Sequence, residues 1–115
     1  MTGRFSRSER LTSSAEIQAL FQQGKRIDRP SLVVLWGDEA GPRRVAFAVT
    51  RQIRGAVRRN RARRRMREAF RAVRGVAPPR VALVVIAKRG ALEAPFPALR
   101  AELRDALAAI PRASA

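Results

Sequence analysis

The chain has no cysteine and no histidine, and each absence removes a class of function. Without cysteine there is no disulfide framework and no thiolate metal site, so cysteine usage leaves the redox compartment unspecified. Without histidine there is no imidazole base and no His-based catalytic triad. Lysine is nearly missing as well, with only Lys25 and Lys88. The 9 acidic residues are scattered and offer no close carboxylate pair suited to holding metal ions in a nuclease site. No apolar run approaches the roughly 20 residues that span a bilayer; the longest lie around Leu32 to Trp36 and Val81 to Ala87. The opening MTGRFSRSER lacks the apolar stretch of a signal peptide, so a cytoplasmic location with no membrane association is expected.

What is present is positive charge. Lys and Arg total 25, for a formal net charge of +16 over 115 residues. That much like charge opposes compaction, and it points to a polyanionic partner more than to any fold. Arginine dominates the set, and its planar fork of donors grips phosphate bidentately and stacks on bases, which suits structured RNA at least as well as DNA. A GC-rich genome also enriches arginine, but codon bias does not explain clustering. Hydrophobic residues make up 46% of the chain, too many for a disordered basic tail. One domain over residues 1–115 is expected, with ends frayed at about 1–9 and 111–115.

Ser13 and Glu16 form a capping box before Ile17, Leu20 and Phe21 at helical spacing, and Gly24 falls where a left-handed C-terminal residue belongs. Residues 31–37, SLVVLWG, read as a strand. In 44–50, RVAFAVT, Val45, Phe47 and Val49 alternate with smaller residues, and the DEAGPR turn between the two suggests an antiparallel hairpin. From about residue 55 to 74 the period becomes helical. Ala62, Met66, Ala69, Phe70 and Val73 share one stripe, and Asn60, Arg64, Arg67 and Arg71 share the opposite side. Gly75 and Pro78-Pro79 stop this helix. Residues 80–87, RVALVVIA, suit a strand covered on both faces. A last helix follows Pro95 and Pro97, burying Leu99, Leu103, Ala106, Leu107 and Ile110. The expected order is α-β-β-α-β-α.

The stretch 58–67, RRNRARRRMR, carries seven arginines in ten positions. Like charges at i, i+3 and i+4 destabilise a helix, so such a run needs a polyanion to meet it. A solvated helix face normally mixes signs, and here only Glu68 supplies nearby counter-charge. Asn60 adds an amide that both donates and accepts, able to read a sugar hydroxyl or help hold a hydrated metal ion between phosphates. On these residues alone a ribosomal protein or RNA chaperone, a DNA-binding module and a protein-only nuclease are competing readings, the last handicapped by the missing carboxylate cluster.

The stretch 56–70, AVRRNRARRRMREAF, is built around Arg59-Asn60-Arg61, further basic residues and an Arg-Glu-Ala-Phe end. It is preceded by VAFAVTR at 45–51 and followed by LVVIAKRG at 83–90, with Arg10-Leu11 and FQQGK at 21–25 further upstream. In this order, over about residues 10–110, the pattern resembles the protein component of bacterial ribonuclease P, which takes part in removing the 5′ leader of precursor tRNA. The resemblance implies that the catalyst is an RNA subunit with bound Mg²⁺, and that the protein binds that RNA subunit and precursor tRNA without an obligate protein partner. It assigns Arg58, Arg59, Asn60, Arg61, Arg63, Arg64 and Arg67 to the RNA subunit. A leader-binding groove would involve Ile17, Phe21, Val33, Leu35 and Arg51. No catalytic residue and no tightly held metal is expected on the protein.

The fold implied is a two-layer α/β sandwich, ribosomal-protein-like, with a left-handed βαβ crossover. Some positions depart from the family pattern. Arg54-Gly55 stands where Gly-Asn is usual, Gln52 where a basic residue is, and Ile17 where an aromatic is. Leu35 occupies a place often held by a second aromatic, with Trp36 one step on. A one-residue slip reverses a strand's face, so Trp36 belongs either to the core or to the groove. Phe21 likewise has a core reading beside its groove reading.

Overall fold

The structure, a computed structural model, describes residues 10, 11, 14–39 and 41–111. Helix α1 (Ser14–Gln23) leads into strand β1 (Lys25–Asp28), then β2 (Leu32–Asp38) and β3 (Arg44–Val49). The long helix α2 (Ala56–Val73) follows, extended by one 3-10 turn at Arg74–Val76. Strand β4 (Val81–Ala87), a one-turn helix α3 (Gly90–Glu93) and helix α4 (Phe96–Ala108) complete the chain. The observed α/β order therefore contains one strand and one short helix more than the sequence suggests. β1 was hidden in a charged connector, KRID, whose exposed ends blunt a sheet edge.

The four strands lie in the order β1-β2-β4-β3. β1 pairs antiparallel with β2, β2 antiparallel with β4, and β3 parallel with β4. This corrects the expected hairpin, since β2 and β3 are separated by β4. The reason is burial: all seven residues of VALVVIA are buried, and only a central strand has a neighbour on each side and cover on each face. β3, α2 and β4 form a βαβ crossover unit.

One face of the sheet carries the larger core. Leu32, Val34 and Trp36 of β2, Val45 and Val49 of β3, and Val81, Leu83 and Val85 of β4 meet helices α2 and α4 there. The α2 stripe is buried as expected, at Ala62, Met66, Ala69, Phe70 and Val73. Phe70 meets Phe47 edge-on with ring centroids 5.8 Å apart. α4 buries Leu99, Leu103, Ala106 and Leu107, and the Glu102 carboxylate accepts the Ser31 backbone N–H at 2.6 Å, tying α4 to the start of β2. Trp36 is buried on this face, with Lys25 Nζ 5.2 Å from its ring centroid, which decides for the core reading.

The other face has a smaller core under α1, made of Leu11, Leu20, Val33, Leu35, Ala82, Val84 and Ile86. Residues 10 and 11 run beside the edge strand, where the Leu11 N–H donates to the Val45 carbonyl at 2.9 Å. Glu16 of α1 accepts from Arg44 Nη1 at 2.9 Å. The cap expected at Ser13 lies outside the described residues. Gly24 does not take the left-handed conformation expected of it; Gly55 is the glycine with positive φ among the described residues. Gly24 is needed for close approach instead, because a Cβ there would stand 2.5 Å from the Leu20 carbonyl oxygen.

Candidate nucleic-acid interface

Helix α2 starts from Gly55, at φ 90 and ψ 137, a region that side-chain-bearing residues rarely enter. The departure Arg54-Gly55 thus still supplies the backbone freedom the entry to this helix requires. The apolar stripe fixes the helix's rotation, so the arginines of one run are delivered to different fates. Arg58, Asn60, Arg61, Arg64 and Arg67 are exposed. Among the described residues, Arg58, Arg61, Arg64 and Arg67 have no hydrogen-bonding or ion-pair partner. Arg63 donates to Asn60 Oδ1 at 2.8 Å, so the Asn60 amide hydrogens are not used in that bond. Val57, 82% exposed, stands at the head of this face.

Two arginines of the run turn inward to backbone carbonyls. Arg65 donates to Leu92 O at 2.9 Å and Ala94 O at 2.5 Å, fastening α2 to the segment before α4. Arg59 donates to Ile53 O at 2.9 Å, Thr50 O at 3.0 Å and Val49 O at 3.2 Å. Its charge is therefore spent at the base of the β3–α2 loop, apart from the outward group in which the sequence placed it.

Beyond the C-terminal end of α1, the smaller face of the sheet is open and forms a groove of about 650 Å³. Its floor is Val33, Ile86 and Ala48, which are lateral neighbours across β2, β4 and β3. Phe21 of α1, Arg26 of β1 and Lys88 after β4 also line it, with Thr50, Arg51 and Gln52 of the β3–α2 loop. Phe21 is 54% exposed, so its ring is a surface feature, and Leu20 is the residue of α1 that is buried. Ile17 and Leu35 do not line the groove; Leu35, only 4% exposed, lies in the smaller core, and Ile17, partly buried on α1, packs against it. Of the five residues expected in a groove, Phe21, Val33 and Arg51 are brought together there.

Sequence reasoning did not single out Arg26, Thr50 or Lys88. Lys88 lies in the matched LVVIAKRG stretch, which was the available signal. Its Nζ donates to Asp28 Oδ1 and, at 2.8 Å, to the Arg29 carbonyl. The Lys88 hydrogen bond, assisted by Arg26 and opposed by desolvation, holds the Asp28 carboxyl below its ordinary value of 3.8. Thr50 Oγ1 is buried without a hydrogen-bond partner. The groove thus combines an exposed ring, an apolar floor and three basic side chains, a combination that fits a single strand of nucleic acid. Through the loop it joins the cationic face of α2.

Among the described residues no group of three or more His, Cys, Asp or Glu is placed to hold a metal ion. None of the described helices is long and apolar enough to cross a membrane.

The profile of the ribonuclease P family matches residues 5–111. A ribonuclease P protein component from Gluconacetobacter diazotrophicus is 39% identical over 104 residues, covering 88% of this chain and 90% of that protein. One from Symbiobacterium thermophilum is 40% identical over 98 residues, covering 84% and 85%. Among solved structures, the RNase P protein from Thermotoga maritima superposes with a TM-score of 0.79 at 30% identity, over 90% of this chain and 98% of that one.

Proposed function

The chain belongs to the ribonuclease P protein family, and from that membership we propose that it is the protein subunit of a ribonucleoprotein that removes the 5′ leader of precursor tRNA in the cytoplasm. The outer face of α2 binds the RNA subunit. Arg58, Arg61, Arg64 and Arg67 neutralise backbone phosphates, and Asn60 with Arg63 adds an amide that reads a sugar hydroxyl or a hydrated ion. The groove takes the single-stranded leader, with a base stacked on Phe21 and its phosphates between Arg51 and the Arg26–Lys88 side. Arg51 follows β3 and Lys88 follows β4, with Lys88 donating to Asp28, so a strand lying in the groove meets basic side chains from two elements.

The protein's own residues bind and orient. Mg²⁺, which would supply water activation in such a reaction, would be held by the RNA subunit. No protein side chain takes a catalytic role, and no second protein is required. The observation that carries the reading is the set of unpartnered guanidiniums of Arg61, Arg64 and Arg67 on the exposed helix face that carries Asn60, with Arg58 exposed on the flank of the first turn.

The test is reconstitution. Added to a bacterial ribonuclease P RNA and a precursor tRNA at low Mg²⁺, the protein should restore cleavage at the leader junction, while RNA-free protein should cleave nothing. Absence of stimulation, or cleavage by protein that survives ribonuclease treatment of the preparation, would reject the proposal.

A further inference from the structure

We propose that Arg59 is a positioning residue for the leader groove and not a contact to the RNA subunit; this rests on the groove reading given above. In sequence Arg59 is one cation among seven. In space its guanidinium reaches back under the β3–α2 loop and joins three carbonyls that bracket the groove wall, those of Val49, Thr50 and Ile53. Nη1 spends both of its hydrogens on Thr50 and Ile53. A guanidinium has five donors and no acceptor, so this one commits three of its five to backbone carbonyls, and the Nη1–Nη2 end of the fork is turned to the loop.

The loop needs the clamp. Its own closing bond, Ile53 N–H to the Thr50 carbonyl, is long at 3.2 Å, and Thr50 is otherwise anchored by its N–H to Ala87 at 3.0 Å. Val49 is the last residue of an edge strand, so its outward carbonyl has no strand to pair with. Arg59 supplies that partner and closes the turn in the same stroke. Arg51 and Gln52, both exposed, have no other brace among the described residues and project from the turn that Arg59 ties. The cationic helix therefore sets the wall of the groove from behind. Arg65 provides the natural control, because it also donates to two carbonyls but on the α3 side, away from the groove.

The experiment compares Arg59→Ala, Arg59→Lys, Arg61→Ala and Arg65→Ala in holoenzyme reconstituted with a bacterial ribonuclease P RNA. Three quantities are measured: the ratio of precursor to mature tRNA affinity, the salt dependence of RNA-subunit binding, and the thermal melt. If the unclamped loop holds its groove-forming shape about a tenth of the time, Arg59→Ala lowers the precursor-to-mature ratio about tenfold. Its salt slope stays that of the wild type. Arg65→Ala melts lower and keeps the ratio. Arg61→Ala flattens the salt slope. Lysine at 59 keeps the charge but gathers its donors on a single nitrogen and lacks the planar fork, so that variant gives an intermediate ratio.

A folded Arg59→Ala holoenzyme with the wild-type ratio would overturn the proposal, as would a salt slope flattened to match Arg61→Ala. Should the alanine variant not fold, Arg59→Lys decides by the same two readouts, a wild-type ratio again being fatal. A wild-type protein that does not distinguish precursor from mature tRNA would instead reject the groove reading, and this inference with it.

Discussion

The two faces of the sheet are built on the same strands and put to opposite uses. On the α2/α4 face, Leu32, Val34, Val85 and Leu83 are sealed under two helices. On the α1 face, a ten-residue helix covers only part of the sheet and leaves Val33, Ala48 and Ile86 as the floor of an open groove. Because side chains alternate along a strand, β2 and β4 supply the larger core with every second residue and, with the ones between, both the smaller core and, at Val33 and Ile86, the floor of a candidate binding surface. Neighbouring positions in the sequence therefore answer to different demands, and substitution should separate them.

The largest separation is expected between two phenylalanines. Phe70→Ala, at a fully buried site, should destabilise the protein by about 3–5 kcal/mol in chemical denaturation. Phe21→Ala should change stability by no more than about 0.5 kcal/mol. It should weaken affinity for precursor tRNA, but not for mature tRNA, by about 1–3 kcal/mol. A large melting-temperature drop with an unchanged precursor-to-mature ratio would instead make Phe21 a structural residue and erase the contrast between the faces.

A smaller effect is expected on the outward side of α2. Replacing Arg61, Arg64 and Arg67 together with alanine should leave the melt nearly unchanged, since none touches the apolar stripe. The plot of log affinity for the RNA subunit against log salt should flatten by somewhat under one unit per lost phosphate contact. Wild-type affinity and slope in this triple variant would move the RNA-subunit contact elsewhere.

The smallest effect concerns the polar side of the open face. The Asp28 carboxyl is held below its ordinary value chiefly by its hydrogen bond from Lys88. A group whose folded pKa is depressed contributes stability above its unfolded value and loses it as pH falls through the folded one. The gap in stability between wild type and Asp28→Asn should therefore be present at neutral pH and close below the ordinary carboxylate range. A gap that persists unchanged in acid would assign the effect to something other than this pair. The larger core, held by apolar contacts, has no corresponding titration.

Helix α2 was legible to within a residue or so at each end, because five apolar positions at helical spacing and two strong stop signals agree. β4 was legible as a doubly covered strand, but its place in the sheet was not. A hydrophobic run states that it needs neighbours without naming them, and the short turn between β2 and β3 suggested a pairing that β4 in fact prevents. β1 escaped notice because four residues with three charges carry no strand signal beyond β-branched Ile27. For the candidate interface, composition and the ordered motif located the cationic helix and Phe21. They did not reveal which arginines turn inward, since Arg59 and Arg61 look alike until the helix is rotated against its sheet. Ile17 and Leu35 were expected in the groove on family resemblance, but Leu35 lies in the smaller core and Ile17, on α1, packs against that core.

The central strand is also among the last pieces of the chain to be made. During synthesis β2 and β3 emerge first, each with an inner edge of unpaired backbone groups, and α2 follows with nothing yet to cover the far side of its stripe. The sheet cannot close until residues 81–87 lie between β2 and β3, and α4 packs on the larger core beside α2. Assembly therefore depends on contacts between distant parts of the chain, which form slowly because the loop entropy must be lost before they reward it. A chain cut before β4 would present two open strand edges and a bare arginine helix, so the sheet of this small domain has no closed form without its late-coming central strand.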